Sequence, residues 1–183
     1  EASEYKDGKR KFRLTGNSQI QRNENYAEGH RIVLDEKDNS AVIDKEGYYT
    51  DGNRKIYADY IKTEELKSED FENPSNIEAG FDIKAGAKIN KLILDGNVKV
   101  IEPGRTIKSD NALVFQIGGN GGILDEEDSE NNNANNRNIA YLTGDVEIID
   151  NNENTTIKGS VVDYIENGNR TKATISGNAE VLQ

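Results

Sequence analysis

The chain has 183 residues, is 33% apolar, carries a formal net charge of −11, and contains 17 glycines, one histidine and no cysteine, methionine or tryptophan. Without cysteine there is neither a disulfide framework nor a thiolate metal site, and one histidine cannot build a histidine metal cluster. The negative charge opposes nucleic-acid phosphates and anionic bilayers, and no run of about 18 apolar residues exists to span a membrane as a helix.

In chain order, Glu1 to Lys11 is charged and patternless, the composition of a flexible lead-in. The basic cluster Lys6 to Arg13 reads as a solvated arm. These residues hold no hydrophobic signal core, so the expectation is either a cytoplasmic protein or one whose leader was removed. Leu14 to Ile20 then alternates with period two, a strand with one dry face. After a polar turn at Gln21 to Asn25, a second strand runs to Leu34, and Asp35 to Ser40 has turn composition. Ala41 to Thr50 reads as a strand, Asp51-Gly52-Asn53 as a hairpin turn, and Arg54 to Lys62 as the returning strand.

Thr63 to Asn76 is acidic, ends at Asn73-Pro74 and reads as a loop. Ile77 to Ile89 suggests two short strands around Gly80 and Gly86. Leu92 to Ile101 is a strand ending at the Pro103-Gly104 turn, and Ile107 to Ile117 is the most apolar strand of the chain. Gly118 to Gly122 lacks the Lys followed by Ser or Thr of a phosphate loop. Asp125 to Asn138 reads as a solvated connector whose carboxylates match no calcium-loop spacing. Leu142 to Ile148, Ile157 to Tyr164 and Ile175 to Val181 complete the strands, with a tight turn at Asn167 and Gly168.

Two units recur. The first is LTGNSQI, LDGNVKV, LTGDVEI and ISGNAEV, with Gly16, Gly96, Gly144 and Gly177 on the dry face of each strand. Such a glycine marks either a bend or bulge, or a place where a ligand approaches the backbone; the pattern alone leaves both open. The second unit is IYADYI, IKSDNALV and IKGSVVDY, with a weaker copy starting at Ala27-Glu28. The anchor glycines are 80, 48 and 33 residues apart, too uneven for a solenoid, so the reading is one domain of hairpins in series.

Little points to catalysis. His30, between Gly29 and Arg31, reads as strand surface rather than a base. With 34 acidic residues, carboxylate pairs arise by accident, and no tryptophan is present to wall a sugar cleft. A non-enzyme without cofactor or metal is expected.

The order LDGNVKV, IKSDNALV, LTGDVEI, IKGSVVDY, ISGNAEV resembles the OstA-like (LptA) family of periplasmic lipopolysaccharide-transport proteins, whose repeats pair an L-T-G-N strand with an I-[KR]-[AG]-D strand ending near an aromatic. The resemblance covers Leu92 to Leu182. It is weaker over Phe12 to Tyr60 and absent from Thr63 to Ile89 and from Asp125 to Asn138. It implies an all-β antiparallel jellyroll over residues 12–183, shaped as an open twisted V with irregular inserts near 63–76 and 118–138. It also implies a periplasmic location, a greasy interior that receives lipid A acyl chains of lipopolysaccharide, other lipopolysaccharide-transport components as partners, and homo-oligomers formed by edge-strand pairing. The expected lining comprises Leu14, Ile20, Leu94, Val98, Val100, Ile107, Phe115, Leu142, Val146, Ile148, Ile157, Val162, Tyr164, Ile175 and Val181. The rival reading is a structural or adhesive cell-surface β-repeat protein with a filled core. A third is a carbohydrate-active β-protein, for which a carboxylate pair in an aromatic-walled cleft would be needed.

Overall fold

The computed structural model describes residues 1–71, 86–117, 137–167 and 170–183. The expected loop features at Asn73-Pro74, around Gly80, at Gly118 to Gly122, at Asp125 to Asn136 and at Gly168 lie outside them. The described residues form an all-β, antiparallel structure: β1 (Ala2–Glu4), β2 (Arg10–Arg22), β3 (Asn25–Asp35), β4 (Ser40–Thr50), β5 (Lys55–Lys67), β6 (Lys88–Glu102), β7 (Arg105–Ile117), β8 (Arg137–Asp150), β9 (Thr155–Asn167), β10 (Arg170–Ser176) and β11 (Glu180–Leu182). A short 3-10 turn, Ser68–Asp70, follows β5. Strands β1 to β10 neighbour one another in sequence order, and β11 continues beside β9 where β10 stops. This is a plain series of hairpins.

Local chemistry makes the turns. Asp51 Oδ1 accepts from the backbone N–H of Asn53 (3.1 Å) and Arg54 (2.7 Å), and Asp150 Oδ1 accepts from those of Asn152 (2.9 Å) and Glu153 (3.1 Å). Both are side chains imitating a turn's backbone bond.

Each strand is interrupted at one level. The pairing shifts at Thr15/Ser18, Asp44/Gly47, Asp95/Val98 and Thr143/Val146, where β2, β4, β6 and β8 each set two residues against one on the odd-numbered neighbour. Gly177-Asn178 breaks β10 from β11 at the same level. The four anchor glycines are therefore bulge residues, all at positive φ, with Asn17, Asn97 and Asn178 also left-handed. A bulge bends its strand, and a row of them in register creases the whole sheet.

The crease is sharp. Strand β7 has 13 residues, so its ends would stand roughly 40 Å apart if it were straight, yet Arg105 and Gln116 line one small cavity. The sheet folds over on itself into two arms. One arm carries the β7 end at Ile117, the other the β7 start at Arg105. One apolar cluster fills the angle between them, including Ile32, Ile43, Ile56, Ile61, Leu94, Leu142, Val146 and Val162.

A second cluster lies on the opposite face of the first arm: Ile89, Phe115, Ile117, Ile139 and Ile165, with Leu66, Phe71 and Leu113 against it. Phe71 meets Phe115 edge to face, with centroids 5.0 Å apart. In the first-arm halves of β6 to β9 both alternating sets are apolar, so these stretches are buried on two sides.

Two stretches depart from the sequence reading. Thr63 to Lys67 continues β5 rather than opening a loop, pairing Thr63 with Leu92 and Leu66 with Ile89. Its charges are matched: Glu64 bridges Lys62 on the same strand and Lys91 on β6, and Glu65 meets Lys88 on β6. The opening residues also have structure, since β1 pairs with β2. Tyr5 and Lys11 both donate to Asp35 Oδ2 at 2.8 Å.

Candidate functional site: an apolar trough with a polar mouth

The space between the arms is a trough running across the strands, and every strand from β2 to β10 contributes to its walls. Of the fifteen residues expected to line it, thirteen belong to the single cluster between the arms. Leu94, Val98, Leu142, Val146, Ile148 and Val162 are buried; Leu14, Ile20, Val100, Ile107, Ile157, Tyr164 and Ile175 are half-buried against them. Val181 lies outside it, pairing with Ile157 at the last strand and 55% exposed beside the exposed Leu182.

Phe115 is a correction. It alternates with Val114 and Gln116, which line the trough, and packs on the opposite face with Ile139 and Ile165. The sequence expectation followed its hydrophobicity, whereas the pleat fixes its side. Thirteen further residues of the trough cluster were not singled out from the sequence, among them Ile32, Ile43, Ile56, Ile61 and Ala112. The alternation in IYADYI already carried Ile56, Ala58 and Ile61.

The crease explains the anchor glycines without a ligand. A Cβ on Gly96 or Gly144 would run into the carboxylate of Asp59 or Asp110 on the adjacent strand, and Asn97 Nδ2 donates to Asp59 Oδ2 at 2.8 Å. Their left-handed φ of +74° and +94° is a second reason for glycine there.

At the open side of the angle the lining turns polar. Arg54, Glu102 and Arg105 come from one arm, Gln116, Asn138 and Glu166 from the other. Arg54 is held by Asp51 and Arg105 by Glu102, each pair three residues apart across a hairpin turn. The Arg105 guanidinium reaches over to the other arm, donating Nη1 to Tyr164 Oη (2.5 Å) and lying 5.3 Å from that ring's centre. Burial works against its charge, but the Glu102 carboxylate and the Tyr164 hydroxyl more than offset this and hold its pKa above the usual arginine value.

Arg105, Tyr164 and Glu166 stand between two spaces. On one side is a narrow, partly open cavity of about 90 Å³ walled by Ile56, Leu92, Leu94, Ile107, Val114 and Leu142. On the other is a wider recess of about 530 Å³, floored by Ile148, Ile157 and Ala173 and rimmed by Asp150, Asn152, Glu153 and Thr171. The smaller cavity has room for about three water-sized groups.

Among the described residues no group of three or more His, Cys, Asp or Glu is placed to hold a metal ion. His30 sits exposed at the crease of β3, with Asn17, Lys45 and Glu46 around it. Compared with family models, curated proteins and solved structures, the chain matches none.

Proposed function

We propose that the chain is a non-enzymatic lipid carrier or bridge of the OstA-like kind, a periplasmic protein that passes the acyl chains of lipopolysaccharide along the trough towards the outer membrane. The observation that carries this reading is the single apolar cluster between the two arms, to which every strand from β2 to β10 adds a residue. Such a slot suits acyl chains, since each buried methylene contributes about 0.8 kcal/mol. The crease at the repeat glycines is how the same sequence units would give the open, twisted V of a jellyroll of that family. The chemistry needs no cofactor, and direction would come from an energised partner among the other transport components. The edge of β10, with Val181 and Leu182 exposed beyond it on β11, offers a place where another copy or such a component adds a strand.

The small volume of the cavity between the arms favours one rival, a structural or adhesive β-protein with a filled core. The two separate on purified material. Native mass spectrometry with lipopolysaccharide and with its deacylated form is expected to show a complex with the first alone. Equal binding of both forms, or of neither, would exclude an acyl carrier.

A further inference from the structure

Arg105 and Tyr164 lie two strands apart, on β7 and β9, and on opposite arms. Arg105 is paired to Asp150, which is paired to Thr155 at the start of β9, and Tyr164 lies nine residues further along. In a flat sheet those nine residues would carry Tyr164 roughly 30 Å away, so the bond between the two exists only because the arms are closed. Each side of this bridge is open space: the apolar cavity inside it, the wider recess outside. Parting it would join the two.

The arrangement also makes parting inexpensive. Arg105 is fastened to its own arm by Glu102, whose Oε2 accepts from Nε at 3.0 Å and from Nη2 at 2.6 Å. When the arms separate, the guanidinium keeps its counter-charge and loses only Tyr164, whose hydroxyl then meets water. Without Glu102 the open state would strand a charge at the lip of an apolar slot, which is far more costly.

From this geometry we propose that Arg105 and Tyr164 are a latch across the trough, which must release before an apolar chain passes from the recess into the interior. The proposal rests on the acyl-carrier reading for what passes, but not for the opening itself. It also accounts for a trough with walls fit for lipid and little volume in the closed state.

The chain lacks cysteine, so one introduced thiol reports access without background. Val114→Cys places it in the wall of the narrow inner cavity, and Ala27→Cys, buried in β3, serves as the distant control. With Tyr164→Phe, which keeps the ring and removes the hydroxyl, maleimide labelling of Val114→Cys is expected to quicken about tenfold, the loss of one hydrogen bond to a charged group. Ala27→Cys is expected to label at an unchanged rate. Arg105→Lys, which keeps the charge without the stacked planar fork, is expected to act in the same direction. An unchanged rate at Val114→Cys would overturn the latch, and so would an equal rise at both thiols, which would mean general loosening.

Adding dodecanoic acid separates the two claims. Protection of Val114→Cys in both backgrounds, reached sooner with Tyr164→Phe, supports latch and carrier together. Faster labelling without protection by the fatty acid leaves the latch standing and removes the carrier reading.

Discussion

The centre of the sheet, β6 to β9, and its beginning, β1 to β5, share a topology but are held in different ways. In the centre, the first-arm halves of the strands are buried on both faces, and the corner glycines leave no room for a side chain beside a neighbour's carboxylate. At the beginning the buried apolar residues lie on the trough face. The other face carries a row of tyrosines, Tyr26, Tyr48 and Tyr57, with ring centres 5.9 and 4.9 Å apart, and Tyr57 is 39% exposed. The corner of β4 has no glycine at its left-handed positions, which are taken by Lys45 and Glu46 at φ of +60° and +55°. A polar clasp does part of the work there, as Asp35 gathers Tyr5, Lys11 and the Lys37 N–H. One crease can therefore be held by packing or by hydrogen bonds, and the two regions should fail under different insults.

Cutting the second apolar cluster tests this most severely. Phe115→Ala is expected to cost about 3–4 kcal/mol in denaturant unfolding, because it leaves Phe71 and Ile139 facing a cavity. Lipopolysaccharide binding by the folded variant should be unchanged, since Phe115 lies on the far face. Weakened binding in a folded protein would place the site there instead.

The glycines sharpen the contrast. Gly144→Ala combines a left-handed backbone with a collision against Asp110, and about 2–3 kcal/mol is expected to be lost. Gly16→Ala meets open space, so only the backbone term of about 1 kcal/mol remains. Matched urea curves for the two variants measure the difference.

Acid should act on the beginning of the sheet first. Burial raises the Asp35 carboxyl pKa, but the hydrogen bonds from Lys11, Tyr5 and the Lys37 backbone outweigh it and bring it from 3.8 to about 2. A carboxylate with a depressed folded-state pKa stabilises fully above its unfolded value and loses that contribution as pH falls through the folded one. About 1–2 kcal/mol should thus be present above pH 4 and vanish below pH 2. Comparing the wild type with Asp35→Asn across that range, by unfolding midpoint, is expected to show the gap closing. A constant gap would mean that Asp35 acts through shape rather than charge.

The smallest change converts one region's corner into the other's. Lys45→Gly with Glu46→Asn gives β4 the Gly-Asn corner of β2 and β6, and about 1 kcal/mol of stabilisation is expected from relief of two strained side-chain-bearing residues.

Much of this architecture is legible in the chain. The recurring apolar–Gly–Asn units mark the strands and their bends, and period-two alternation places thirteen of fifteen lining residues on one face. The failures have specific causes. Thr63 to Lys67 looks like a loop because cross-strand ion pairs, which a linear reading cannot see, neutralise Glu64 and Glu65. Phe115 was misplaced because a strand apolar on both sides has lost the alternation that assigns a face. Lys45-Glu46 gives no sign of a corner, since neither residue prefers positive φ. The latch joins residues 59 apart, and only folding about the crease brings them together.

The most direct test of the central claim is photocrosslinking to lipopolysaccharide from adjacent positions on β6. A photoreactive residue at Val100 faces the trough, and one at Lys99 faces solvent. Adducts at Val100 and none at Lys99 are what an acyl-binding trough predicts. No adduct at Val100 in a folded protein, or equal adducts at both positions, would contradict it.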